Sequence, residues 1–297
     1  MSRDASVLFD VPGPKARRRN LFIGVLGSLA LAGFLVFVIV RFNETGQFDS
    51  RKWDPFAYSG IQQFIFDGLK ATLKAFVLAA VLSIVLGAFL AAGRLSDHKA
   101  VRWAATSFVT FFRAMPLLVL IFMLYLVPGS MGWWTWEPLW PLVVGLTIYN
   151  GTVQAENIRA GILAVPKGQS EAAYAIGMRK TQVMTMILVP QGIRTMLPTI
   201  ISQIVVTLKD TSLGFLITYP ELLAAAKLIG GYQDYDMPFI PVTLIVGAIY
   251  IAMCMILSAI ATWLERSLRT SRKGRTPVPA DGVGTGIPAS FAGAPGA

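Results

Sequence analysis

Between two long apolar runs, residues 168–177 read G-Q-S-E-A-A-Y-A-I-G. Pro166 and Gly168 interrupt whatever helix precedes them, and Ser170 is placed to cap a short helix over Glu171, Ala172, Ala173, Tyr174 and Ala175. Gly177 offers a left-handed exit, after which Thr181 is placed to cap a following helix. A plain connecting loop needs none of this punctuation. The outward surface of the short helix reads as alanine with one carboxylate. Small side chains let another protein approach closely, and Glu171 can find a donor there.

The composition says what surrounds this helix. The chain has 297 residues, 55% of them hydrophobic and 14% charged, with a mean hydropathy of +0.61. Soluble domains carry about a quarter charged residues, so this is the composition of a multi-span membrane protein. The net charge of +10 raises nucleic acid as a partner, but the positions of the charges exclude it. Seventeen of the 26 basic residues sit in the N-terminal tail, at Arg94–Arg102, at Arg159–Lys180 and in the C-terminal tail, with no interleaved aromatics. Cys254 is the lone cysteine, inside an apolar run, and reads as a packing residue.

Six apolar segments are long enough to cross a bilayer: Leu21–Val40, Gly68–Gly93, Trp103–Val127, Leu139–Ala160, Gly192–Thr218 and Phe239–Leu264. Twenty helical residues at about 1.5 Å each span a hydrocarbon core of roughly 30 Å. Alternate threading collects the four basic clusters on one side and leaves Arg51, Lys52 and Lys227 in the loops of the other. The positive-inside rule then puts both termini in the cytoplasm. The expected organisation is a basic tail (1–20), an extra first helix (21–41), an outer loop (42–67), a five-helix core (68–266) with the loop 162–182, and a disordered tail (267–297). Trp53, Trp133, Trp134, Trp136, Trp140 and Tyr235 fall in the outer loops, as an interfacial belt would. Ala79, Ser83, Gly87 and Ala91 recur every four residues and give the second span one small face for close helix packing. Phe56 to Lys74 reads as amphipathic at its start and is expected to lie in the outer interface before the chain turns inward.

Charged residues within a span cost about 2.5 to 3.5 kcal/mol each to insert, so they face water or a partner. Lys209-Asp210-Thr211-Ser212 is such a stretch. Gln203 stands two turns before Asp210, with Thr207 near the same stripe, so Gln203, Thr207, Asp210 and Ser212 are candidates to line a polar path. The alternative is that Lys209 and Asp210 bond neighbouring helices. Arg113 and Pro116 sit within the third span; the proline kinks it, and Arg113 is a candidate for the same pathway. Glu156 and Arg159 read as a local ion pair. The sequence holds no G-x-x-x-x-G-K-[ST] run, no metal-ligand cluster and no hydrolytic constellation at membrane depth.

Taken together, R-A-G-I (159–162), V-P-K-G-Q-S-E-A-A (165–173), V-P-Q-G-I-R (189–194), L-P (197–198) and L-K-D-T-S-L (208–213) resemble the polar amino acid permeases of ATP-binding-cassette importers. G-L-K-A-T-L (68–73), the R-x-x-P-L-L of 113–118 and Ala155-Glu156 fit the same family. The resemblance covers about residues 68–264. The chain departs from the family pattern at Val153-Gln154, where an aromatic is usual, at Ser202, where asparagine is frequent, and at Gly192, where alanine is.

The resemblance implies an all-α membrane fold and a multi-pass bacterial plasma-membrane protein. In that family the helix around Glu171 is the coupling helix, which would give Gly168, Glu171, Ala172, Ala173 and Gly177 the contact with a separate ATPase dimer. It also implies a second permease chain, identical or paralogous, an extracytoplasmic solute-binding protein and surrounding lipid. No cofactor is expected on this chain, with ATP on the partner. Asp210 would offset a substrate ammonium, and Lys209 or backbone amides a carboxylate. Relatives that handle cationic amino acids can carry an acidic residue at the Gln203 position, so glutamine favours glutamate or glutamine as substrate. The competing class is an ion-coupled carrier or channel, in which the capped helix has no task.

Overall fold

A proline at the first helical position presets the backbone for α1 (Pro14–Glu44), an apolar helix of 31 residues. None of its residues is buried against the rest of the chain. The computed structural model describes residues 13–270; of the expected tails (1–20 and 267–297), residues 14–20 and 267–270 are helical, and 1–12 and 271–297 lie outside the described residues.

With no proline along its length, α2 (Ser59–Arg94) runs unbroken for 36 residues, about 54 Å. The helix begins at Ser59, ahead of the expected start at Gly68, and continues past it without the expected turn. A single glycine weakens a helix by only about 1 kcal/mol and does not turn it.

The third apolar segment is likewise not one rod. Met115 adopts extended backbone before Pro116, which cannot donate an amide and disfavours helix in the residue ahead of it. The segment therefore divides into α3 (Lys99–Ala114) and α4 (Leu117–Ser130), bent by 98°. A kink was expected; the structure has a corner.

The helix α5 (Leu139–Leu163) buries thirteen of its 25 residues and forms the axis of the bundle. Its neighbour is the small face of α2: Ala79, Ser83, Gly87 and Ala91 are all buried, as their spacing predicts. A methyl group at Gly87 would lie 2.6 Å from Gln154 Cβ and 3.0 Å from the Gly151 carbonyl, so the two backbones meet there without side chains between them.

Beyond α5 come α6 (Lys167–Ala175) and α7 (Lys180–Val183), a π-helical turn at Met184–Leu188, and α8 (Val189–Asp210). Pro190 lacks an amide and its ring crowds the preceding turn, and the widened π turn absorbs both. The fifth segment therefore starts at Lys180, not Gly192, and continues to Ile217 through a 3-10 stretch at Thr211–Ile217. A left-handed Thr218 ends it. The chain then forms α9 (Leu222–Gly230), placed by sequence in a loop, and closes with α10 (Phe239–Thr270).

Among the described residues, α1, α2, the Lys180–Ile217 run and α10 are long and apolar enough to span a membrane, and the bent α3–α4 pair supplies a fifth candidate. The sixth expected span is α5. It is long enough, about 37 Å, and differs in carrying Asn150, Gln154, Glu156, Asn157 and Arg159. Such residues belong inside a membrane bundle, where α5 lies.

Loop contacts agree with the expected threading. Asp97 in the α2–α3 turn pairs with Lys180 at the head of α7, so those two basic loops share one end. At the other end Lys52 lies 3.7 Å from Asp236.

Candidate functional site

Two features concentrate polar chemistry: the loop helix α6 and the face that α8 turns to α5. In α6 the helix starts four residues earlier than the sequence suggested. Pro166 holds extended backbone and Lys167 begins the helix, so Ser170 lies inside it and donates to the Lys167 carbonyl at 2.8 Å. Thr181 is displaced as a cap in the same way. The α7 cap is Arg179, whose backbone N–H donates to Gln182 Oε1 at 2.8 Å.

The far end of α6 is as expected. Gly177 has φ +84°, its N–H donates to the Tyr174 carbonyl (2.9 Å), and the Met178 N–H donates to that of Ala173 (3.1 Å). That pair of bonds is a Schellman termination.

What α6 exposes goes beyond the expected alanines and one carboxylate. Ala173 is turned inward, while Gly168, Glu171, Ala172 and Ala175 are exposed together with Tyr174 and Ile176, the last 78% exposed. Ile176 is the residue that a helix in a finished core would bury. Lys180, just past the turn, donates to Asp97 and holds that carboxyl below the usual carboxylate range. This contact joins the loop to the turn between α2 and α3.

On α8, the residues grouped by sequence divide between two faces. Gln203, Thr207 and Asp210 lie on the α5 side. Gln203 Nε2 donates to Asn150 Oδ1 at 2.7 Å, and buried Thr207 donates to the Gln203 carbonyl at 2.9 Å. Buried Thr211 donates back to the Leu208 carbonyl. Lys209 and Ser212 point elsewhere, into an open groove of about 690 Å³ between α8 and α10 with Val205, Tyr250 and Cys254. The reason is angular: at about 100° per residue, 203, 207 and 210 fall within one sector and 205, 209 and 212 in another. Lys209 has no ion pair among the described residues.

Arg113 joins neither group. It lies 3.9 Å from Glu156, whose carboxylate also takes Arg159 (2.7 Å) and Arg94. The local Glu156–Arg159 pair read from sequence is thus one edge of a hub that ties α2, α3 and α5.

Sequence reasoning missed Asn150. The available signal was Thr147, Asn150, Gln154 and Asn157 at helical spacing, a polar stripe in a span. Asn150 and Gln154 are buried, and Gln154 donates to the Ile200 carbonyl of α8 at 3.1 Å. Thr147 Oγ1, Gln154 Oε1 and Asn157 Nδ2 are buried without a partner among the described residues. Further along, α5 and α8 cross at Gly161 and Gly192, where a methyl on Gly161 would lie 2.4 Å from the Gly192 carbonyl. The glycine standing where relatives often have alanine permits that approach.

Glu221 was also missed. It is fully buried, accepts from Leu223 N–H (2.8 Å) and Ala224 N–H (2.7 Å) at the start of α9, and takes the Tyr250 hydroxyl at 2.7 Å.

A bundle of apolar helices with a polar inner seam and a helix turned outward on one loop has the organisation of a multi-pass membrane protein. Comparison with known proteins agrees. The profile of the binding-protein-dependent transport system inner membrane component matches residues 83–270, more than half of the chain. The glutamate transport system permease protein GluD of Corynebacterium glutamicum is 38% identical over 237 residues, covering 76% of this chain and 83% of its own length. The glutamate/aspartate import permease protein GltK of Escherichia coli O157:H7 is 33% identical over 210 residues, covering 68% and 92%. Among solved structures, that of an amino acid ABC transporter with histidines superposes with a TM-score of 0.65 at 30% identity, over 69% of this chain and 94% of that one. The chain belongs to the family of binding-protein-dependent transport system inner membrane components and has the ABC importer permease fold.

Proposed function

We propose that this chain is the membrane permease subunit of an ATP-driven importer for polar amino acids, with glutamate or glutamine as substrate, in a bacterial plasma membrane. The observation that carries the coupling part is α6: nine residues, terminated by a glycine that only a left-handed turn explains, with Tyr174 and Ile176 left uncovered. A helix of that size is marginal alone and gains stability by packing a face. A cleft on an ATPase subunit supplies the missing partner.

The mechanism follows from connectivity. Closure of the ATPase dimer on ATP displaces α6. The Schellman turn passes the displacement to α7, and the Lys180–Ile217 run carries it to Gln203 and Asp210. Through Lys180 and Asp97 the same movement reaches the α2–α3 turn. ATP hydrolysis is on the partner chain, and an extracytoplasmic binding protein delivers substrate to a pathway formed with a second permease chain. The names of the relatives favour glutamate as the substrate. The neutral amide at Gln203 agrees with a substrate that lacks a cationic side chain.

The test is reconstitution with the co-purifying ATPase and binding protein in vesicles, followed by uptake of a panel of amino acids. ATP-dependent uptake of glutamate or glutamine is expected. Uptake without any ATPase would overturn the importer reading in favour of an ion-coupled carrier.

A further inference from the structure

We propose that α3 lies in the membrane–water interface and binds anionic phospholipid, with Lys99 and Arg102 on the headgroup phosphate and Trp103 and Phe111 against the acyl region. The inference goes beyond the importer reading and concerns a face of the molecule that neither the polar seam nor α6 uses.

The corner at Met115 makes it possible. Turned by 98° from α4, α3 does not continue that helix across the bilayer. It packs instead toward the ends of α2 and α5 that adjoin the α6 loop, where Val109 clusters with Leu90, Ala91 and Ala155. A methyl on Gly93, next to the last residue of α2, would meet Ala105 at 3.0 Å. At about 100° per residue, the rest of the α3 surface divides into two sectors. Lys99, Arg102, Thr106 and Arg113 share one, and Trp103, Ser107 and Phe111 the other. Trp103 is 74% exposed and Phe111 59%. A row of cations beside open aromatic rings is the pattern that seats a helix in a bilayer surface, with the rings at headgroup level.

Charge decides which lipid. The helix carries three cations and no carboxylate. The carboxylates near it are already engaged: Glu156 is shared by Arg94, Arg113 and Arg159, and Asp97 is taken by Lys180. Lys99 and Arg102 have no ion pair among the described residues, and Arg102 donates only to the neutral Ser96 carbonyl, at 3.2 Å. They stand one turn apart and both are exposed. Two uncompensated cations beside apolar rings suit a phosphate that carries acyl chains. A zwitterionic headgroup brings its own cation and gains less from the pair.

The test uses the reconstituted complex in vesicles of phosphatidylglycerol and phosphatidylcholine in equal amounts, with bromine on the acyl chains of one lipid or the other. The Trp103 signal is the fluorescence that W103F removes. Both lipids should quench it, the anionic one about twofold more strongly. K99Q/R102Q should abolish that preference without weakening quenching by phosphatidylcholine, whereas K99R/R102K, which keeps both charges, should retain it. If the double variant does not assemble, K99Q alone, which leaves the Ser96 contact in place, should lower the preference. Equal quenching in the parent chain, or a preference that survives the loss of charge, would overturn the proposal. So would a Trp103 that neither lipid quenches, because a second protein chain would then cover α3. Inorganic phosphate added at constant ionic strength should leave the preference in place, and its loss would show a free-anion site instead of a lipid site. ATP-driven uptake by the same vesicles reports on the importer reading separately.

Discussion

Among the described residues, α6 and α9 are each nine residues long, and they solve the same problem in opposite ways. A helix this short holds few internal hydrogen bonds and needs outside support. In α9 the support is internal. Glu221 caps its first turn, and Leu222, Ala226 and Ile229 pack with Val242 and Val246 of α10. The Leu222 N–H is taken by Thr72 of α2. In α6 only Ala173 is buried, no side chain caps the start, and the largest apolar side chains face outward. Burial marks one as part of the core and leaves the other on the surface. Damage to α9 should therefore appear as lost stability, and damage to α6 as lost transport.

The largest stability effect is expected from Glu221→Ala. It strips the acceptor from two backbone amides and the Tyr250 hydroxyl, three part-buried donors at about 1 kcal/mol each, for a loss of about 3 kcal/mol. A denaturant titration of the purified protein in detergent would register it, and Glu221→Gln, which keeps a carbonyl acceptor, should recover part. An unshifted midpoint would break the comparison from the α9 side.

Gly177→Asp comes next. At φ +84° a side chain costs about 1 kcal/mol, so the midpoint should fall slightly while membrane insertion persists. ATP-dependent uptake should fall about tenfold, because the exit angle of α6 is set there. Uptake equal to that of the parent protein would remove the coupling role from this turn.

The smallest effect belongs to Asp97→Asn. Its partner Lys180 lowers the Asp97 pKa, so any stabilisation is present above the ordinary carboxylate range and is lost only as pH falls through the lowered value. Between pH 5 and 8 the contact should not vary. Both groups are exposed and screened at about 0.15 M salt, so the variant should leave the midpoint in place. Because the contact ties α7 to the α2–α3 turn, a modest slowing of uptake is the expected readout.

The sequence disclosed most where one residue type has one physical use. Gly177 announced a left-handed exit, and the four-residue recurrence of Ala79, Ser83, Gly87 and Ala91 announced a helix face. Both are found as expected. It misled where two residues were equally competent. Pro166 and Ser170 can each open a helix, and the backbone chose the proline, whose fixed φ already suits the turn. Pro116 signalled a kink, and the extended Met115 ahead of it makes the break a 98° corner, larger than the kink expected. In α9, L-L-A-A-A-K-L-I-G is too short to show a helical period above the noise of a membrane sequence, so it passed for loop. The α8 stretch was legible as polar but not as divided. Its residues share a helix while their partners, Asn150 on one side and the α10 groove on the other, come from distant parts of the chain.

The account stands or falls on α6 being the contact with the ATPase. Ala172 is exposed on α6, and arginine is nearly as good a helix former as alanine, so Ala172→Arg should leave stability within about 0.5 kcal/mol of the parent chain. In reconstituted vesicles holding the permease, its ATPase and the binding protein, the same change should cut ATP-driven glutamate uptake at least tenfold and release the ATPase during purification. Unchanged uptake with the ATPase still bound would show that this helix is not where the two proteins meet.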